Sequence, residues 1–159
     1  MSIGDNWDHR LLSCLSRRCR KPGCNLVVDV PKDSSAIIDG DKYKSEYGYE
    51  QALCDYLVFL LGSALSASAV EMKGGRSPDV SHAVKQIQNG ARLIDEIVSE
   101  SVAVAFFPVL VHAGLPSMEV RILRKPVNKI NFRGKDRYIV PHRSGSRLSS
   151  IFSSALSAA

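Results

Sequence analysis

The sequence predicts a mixed α/β domain in which helices flank a central sheet. Three observations carry this. Residues 80–98 form one long amphipathic pattern, with Val80, Val84, Ile87, Ala91, Ile94 and Val98 on a single stripe. Two apolar runs, 52–61 and 69–73, stand close together before it. A third, 102–112, follows it. The 159 residues suit one domain over 1–159, and an apolar fraction of 45% with 23% charged residues is that of a globular chain.

In chain order, residues 7–20 read as a helix. Trp7, Leu11, Leu12 and Leu15 fall at helical spacing, and Arg17, Arg18, Arg20 and Lys21 suit the negative end of its dipole. Pro22 and Gly23 end it. Residues 25–30 and 36–38 are short β-rich runs, the second followed by the turn-like Asp39-Gly40-Asp41. Tyr43, Tyr47, Gly48 and Tyr49 read as a polar-aromatic connection. In the centre, 52–61 is apolar except for Asp55, 62–68 is small and polar and reads as a loop, and 69–73 is a second strand ended by Gly74-Gly75. Two runs this close suggest an antiparallel pair. Ser77-Pro78-Asp79 then supplies a cap, a first-turn proline and a first-turn acid for the long helix. Within that helix Gly90 costs about 1 kcal/mol relative to Ala.

Residues 102–112 read as a buried strand, with Pro108 at a bulge or edge. Residues 118–123 alternate and read as a strand. Residues 129–133 and 137–140 are shorter candidates around the Gly134-Lys135-Asp136 turn. The tail, 144–159, is rich in Ser and Ala, and Leu148, Ile151, Phe152 and Leu156 form one face of a short helix. No internal repeat is present.

Charge is unevenly spread. Residues 1–116 carry 12 Lys/Arg against 14 Asp/Glu, a net −2, whereas 117–159 carry 9 against 2, a net +7. This asymmetry favours a C-terminal part that faces a polyanion over a merely solvated basic face. Arg121, Arg124, Lys125, Lys129, Arg133 and Lys135, with Arg137, Arg143 and Arg147, are the candidate phosphate contacts. Phe132 and Tyr138 lie among them, Phe132 reading as a core residue. Asp5 and Asp8 stand where an export signal needs a basic start, and the longest uncharged stretch, 56–70, is too short to span a bilayer. The expected location is the cytoplasm. His9, Cys14, Cys19 and Cys24 recur every five residues, which invites a zinc reading. Structural zinc sites start from a tighter pair, and a five-residue step does not converge on a helix, so ordinary reduced thiols are preferred.

The chemistry lies in Asp55, Glu71 and Lys73. Alternation along a strand puts Glu71 and Lys73 on one face, with Val70 and Met72 on the other. If the two strands pair, Asp55 comes beside Glu71. Two carboxylates and a lysine suit phosphodiester hydrolysis, in which hard oxygen ligands hold Mg2+ or Mn2+ and the Met72 carbonyl adds a ligand. The lysine orients the attacking water or stabilises developing charge. The competing reading of E-x-K is a surface ion pair worth about 0–1 kcal/mol. Against it stand the apolar surroundings of the triplet and the cost of an isolated buried charge at Asp55.

Cys54-Asp55-Tyr56-Leu57, Ala69-Val70-Glu71-Met72-Lys73-Gly74-Gly75 and Ala83-Val84-Lys85-Gln86-Ile87 together resemble the core of the PD-(D/E)xK nuclease superfamily. The resemblance covers about residues 50–95, and Cys54 stands where the naming proline would be. It implies a restriction-endonuclease-like fold and a Mg2+- or Mn2+-dependent nuclease acting on nucleic acid, DNA ahead of RNA, in phage defence or DNA repair. It implies that Asp55 and Glu71 bind the metal and that Lys73 assists the attacking water. Gln86 matches a glutamine that some members add; its alternative is an ordinary solvent-facing position. His82 reads as structural or exposed. A further acid could come from Asp39, Asp41, Glu50 or the first helix, where Asp8 and Asp5 fill the role poorly. The alternative function is a catalytically silent, nuclease-like subunit that binds nucleic acid or a partner. A homodimer or a partner protein is one route to substrate choice. No phosphate loop, nucleophile elbow or H-E-x-x-H pair is present.

Overall fold

The computed structural model describes residues 3–75 and 79–158. Along the chain run α1 (His9–Leu12), β1 (Cys19–Lys21), β2 (Cys24–Leu26), β3 (Ser35–Asp39), α2 (Gly40–Tyr47), β4 (Tyr56–Leu61) and β5 (Leu65–Lys73). There follow α3 (Val80–Ile97), β6 (Val104–His112), α4 (Ser117–Leu123), β7 (Ile130–Phe132), β8 (Lys135–Arg137), β9 (Val140–Arg143) and α5 (Leu148–Ser157). The fold is mixed α/β, with a five-stranded sheet in the order β3-β4-β5-β6-β9. β3, β4 and β5 are mutually antiparallel, with Tyr56 opposite Val70. α3 then carries the chain over to β6, parallel to β5, and β9 is parallel to β6.

Alternation along the strands gives the sheet two buried faces. Ile38, Leu57, Ala69 and Leu110 pack with Ala83, Ile87 and Ile94 of α3. Ile37, Val58, Val70, Met72 and Val111 pack with Leu148, Ile151 and Phe152 of α5. Asp79 caps α3, its side chain accepting from the His82 amide; it is the cap rather than a first-turn acid, and Ser77 and Pro78 lie outside the described residues. Pro108 sits one residue before the stretch of β6 that β9 covers, a position where a missing N–H breaks no ladder with β9.

Several local expectations give way to packing. The helix predicted over 7–20 stops after Leu12. Beyond it, the Ser16 amide donates to the Ile37 carbonyl and the Asp39 amide to the Cys14 carbonyl, so the chain is drawn along the edge of β3. Pro22-Gly23 then turns the hairpin β1–β2, with Gly23 at φ 74°. Asp39-Gly40-Asp41 is a helix start: Asp39 accepts from the Asp41 and Lys42 amides, and the tyrosine segment is α2, closed by Gly48 in the left-handed region. The predicted loop 62–68 narrows to 62–64, because Leu65–Lys73 is a central strand bonded on both sides. The predicted strand 118–123 is α4. Pro116 opens it, Leu123 is buried, and Ile122 packs against the same core. α5 forms as predicted, although Leu156 stays exposed at 46%. The four cysteines are buried free thiols divided between the two cores, so the five-residue series has no common centre. Among the described residues no helix is long and apolar enough to cross a membrane.

The small residues of β5 let α3 approach closely. A Cβ at Gly90 would lie 2.5 Å from Cys54 Sγ and 2.9 Å from Ala69 Cβ. Gly90→Ala should therefore destabilise the protein by about 1–3 kcal/mol in urea unfolding, although helix propensity alone would have it gain about 1 kcal/mol. A net gain would show that α3 has room to move.

Candidate active site

The site forms where the β4–β5 ladder ends. Asp55 precedes β4 by one residue and, in the antiparallel register, falls opposite Glu71. Their side chains then cross. The Asp55 amide donates to Glu71 Oε1 at 3.1 Å, and the Met72 amide donates to Asp55 Oδ2 at 2.8 Å. Each carboxylate thus takes an N–H that a longer ladder would have given to a backbone carbonyl. In an extended strand the N–H and C=O of one residue project to the same side, so the Met72 carbonyl also faces Asp55. The Met72 side chain is 5% exposed and belongs to the core.

Lys73 lies two residues along β5 on the face of Glu71. Its Nζ is 2.9 Å from Glu71 Oε2 and 3.3 Å from Gln86 Oε1. Gln86 reaches the site from α3, whose backbone also fixes the approach to Asp55, since the Cys54 amide donates to the Gln86 carbonyl at 3.1 Å. The structure therefore brings together Asp55, Glu71, the Met72 backbone, Lys73 and Gln86.

Lys21 is an addition that the sequence reading missed, having assigned it to a helix end. Its Nζ is 2.6 Å from Asp41 Oδ2 and 3.4 Å from Asp55 Oδ1. The hairpin that carries it leans on the end of β5. A Cβ at Gly74 would collide with the Pro22 carbonyl oxygen, and one at Gly23 would meet the Gly74 carbonyl oxygen at 3.2 Å. The signal available was Pro22-Gly23 itself, a turn dipeptide between runs with Cys19 and Cys24 at their ends.

The other candidate acids divide. Asp41 joins through Lys21. Asp39 is spent on capping α2, Asp8 caps α1 and accepts from the Tyr47 hydroxyl, and Glu50 is exposed on a cleft beside α3 with Lys85, Arg92 and Lys129. His82 is exposed at the start of α3. Among the described residues no group of three or more His, Cys, Asp and Glu side chains is placed to hold a metal. Mg2+ is commonly held by one or two carboxylates with waters and substrate phosphates. Two carboxylates and a carbonyl fit that habit, and their hard oxygens fit Mg2+ or Mn2+.

Of the basic residues, Arg121, Arg124, Lys125 and Lys135 are exposed, and Lys129 stacks over the Tyr138 ring at 4.6 Å. Arg133 is not a free phosphate contact. Its guanidinium pairs with Asp95 at 2.6 Å and donates to the carbonyls of Val98, Ser99 and Val102, closing the C-terminus of α3. Phe132 stacks on Phe106 in the core, as expected.

Burial is the first cause, and the negative charge of Asp55 the second, that push the Glu71 carboxyl up to about 8, against the opposing pull of Lys73. Burial alone would lower the Lys21 pKa, but its hydrogen bond to Asp41 and the charges of Asp55 and Asp41 raise it on balance.

No family model, no curated protein and no solved structure matches this chain.

Two outcomes follow from this geometry. Between about pH 4.5 and about pH 8 the folded protein keeps a Glu71 proton that the unfolded chain has released. This contribution to stability is full below the lower value and lost as pH rises through the upper. Urea unfolding of wild type and Glu71→Gln should show the wild type's relative stability falling across that window; a constant difference would refute the shift. Separately, Arg133→Ala should cost about 2 kcal/mol through its lost charged hydrogen bonds, whereas Arg121→Ala should stay within about 0.5 kcal/mol. Equal effects in the same denaturation assay would contradict the structural role.

Proposed function

We propose that the protein is a Mg2+- or Mn2+-dependent nuclease of the PD-(D/E)xK kind, with a restriction-endonuclease-like fold, that hydrolyses phosphodiester bonds, preferably in DNA. The observation that carries this is the crossed pair of Asp55 and Glu71 at the end of the β4–β5 ladder, with Lys73 on Glu71 and Gln86 on Lys73. Asp55, Glu71 and the Met72 carbonyl would hold the metal, which supplies charge to polarise the phosphate and to acidify an attacking water. Lys73 places a positive charge beside that centre, where it orients the water or stabilises charge developing on the phosphate. Gln86 keeps the ammonium from folding back onto Glu71 alone. The exposed Arg121, Arg124, Lys125 and Lys135, on the side of the sheet that α3 covers, supply salt-dependent backbone contacts without sequence choice.

One observation favours a second reading, a silent nuclease-like subunit that binds nucleic acid or a partner protein. Both carboxylates already carry an ammonium, Lys21 on Asp55 and Lys73 on Glu71. A site that never receives metal would be stable in that state.

Incubation with plasmid, single-stranded DNA and RNA in Mg2+, in Mn2+ and in EDTA separates the two. The nuclease should cut DNA in either metal and not in EDTA. Glu71→Gln and Lys73→Met should each slow cleavage by about 100-fold or more, the usual loss when a charge-stabilising group is removed. Cleavage that survives both substitutions, or none on any substrate, removes the enzyme reading; salt-sensitive binding without cleavage then selects the silent one.

A further inference from the structure

We propose that Lys21 is a counter-cation built into the site, one that holds Asp55 until a divalent ion displaces it onto Asp41. The inference rests on the metal-dependent reading above and concerns the role of this lysine alone.

Its placement is fixed by the fold. The Tyr56 hydroxyl donates to the Arg20 carbonyl at 3.0 Å and accepts from the Arg20 amide at 3.1 Å, which ties the hairpin to the first residue of β4. The backbones of Gly23 and Gly74 touch, which ties its turn to the end of β5. Lys21 lies between these two anchors, its Nζ 5.9 Å from the Tyr56 ring centroid and its side chain only 24% exposed. The ammonium is thereby delivered beside Asp55 from the α5 side of the sheet, while Lys73 approaches Glu71 from the α3 side. Each of the two acids thus faces an ammonium of its own, Lys21 at Asp55 and Lys73 at Glu71.

A divalent ion on the Asp55 carboxylate and an ammonium 3.4 Å from Asp55 Oδ1 compete for the same negative charge. The structure provides the lysine with somewhere to go. Its shorter bond, 2.6 Å, is to Asp41, whose side chain is 74% exposed and pays little to keep that partner. Lys21 therefore has two partners of unequal depth. The buried one is needed by the metal, and the exposed one remains when metal arrives. This makes Lys21 a positioning residue: it keeps Asp55 in place before loading, and it sets how tightly the metal binds.

The test is Mn2+ binding to EDTA-stripped protein by isothermal titration calorimetry, without nucleic acid. Lys21→Met should bind Mn2+ about 10-fold more tightly than wild type, a coupling of ordinary size between two ligands competing for one group. Lys21→Arg, which keeps the charge, should return towards wild-type affinity. Circular dichroism checks folding, and Lys21→Gln serves if the methionine variant does not fold. A lysine that merely props the hairpin predicts the opposite direction, weaker Mn2+ binding in the neutral variants. Unchanged or weaker binding by those variants overturns the inference. If wild type still cleaves DNA in Mn2+, the nuclease reading survives that outcome. Absence of Mn2+ binding in wild type and variants alike overturns both.

Discussion

The crossed hydrogen bonds between Asp55 and Glu71 decide what the rest of the molecule does at this end. A strand pair that stops must leave backbone N–H groups to be satisfied by something else. Here the two carboxylates take them, the Asp55 amide going to Glu71 and the Met72 amide to Asp55. Two acids are thus held close in a region where either alone would be costly. Everything around them answers that cost. Lys73 and Lys21 bring charge, Gln86 steadies Lys73, and Gly40, Gly74 and Gly90 let neighbouring segments approach closely.

The part of this arrangement legible in the sequence is the part carried by local pattern. The apolar stripe from Val80 to Val98 announces α3, and α3 carries Gln86. Two adjacent apolar runs announce the β4–β5 pair, and strand alternation puts Glu71 and Lys73 on one face. Asp55 stands out because it interrupts an apolar run. What local pattern does not reach is long-range delivery. β1 and β2 are three residues each, too short to display a period, so Lys21 looked like the charged end of a helix. Met118, Val120 and Ile122 alternate as a strand would, yet the pair Val120 and Leu123 fits a helical turn equally well. Arg133 belonged to a basic segment by composition, and only the open C-terminus of α3 beside it reveals its use as a cap.

The two lysines differ in the company they keep. Lys73 is bound to a buried acid and a neutral amide, and nothing exposed competes for it among the contacts described. Lys21 divides itself between a covered acid and a solvated one. A charge with one deep partner is a fixture. A charge with a second, shallow partner keeps one contact when another cation takes the deep one. Placing one lysine of each kind against two neighbouring carboxylates gives the pair different accessibility to an incoming cation, although the acids themselves are adjacent in the ladder.

The contact between Gly23 and Gly74 has a consequence for how such a chain can diverge. Positions 51 residues apart meet where a side chain at Gly74 has no space and one at Gly23 would be crowded and strained by its positive φ. The two glycines therefore act as one packing unit. A side chain at either position has to be matched by a displaced turn at the other, and that displacement would carry the neighbouring Lys21 out of reach of Asp55. Relatives of this chain should keep both glycines together with Lys21, or lose all three together.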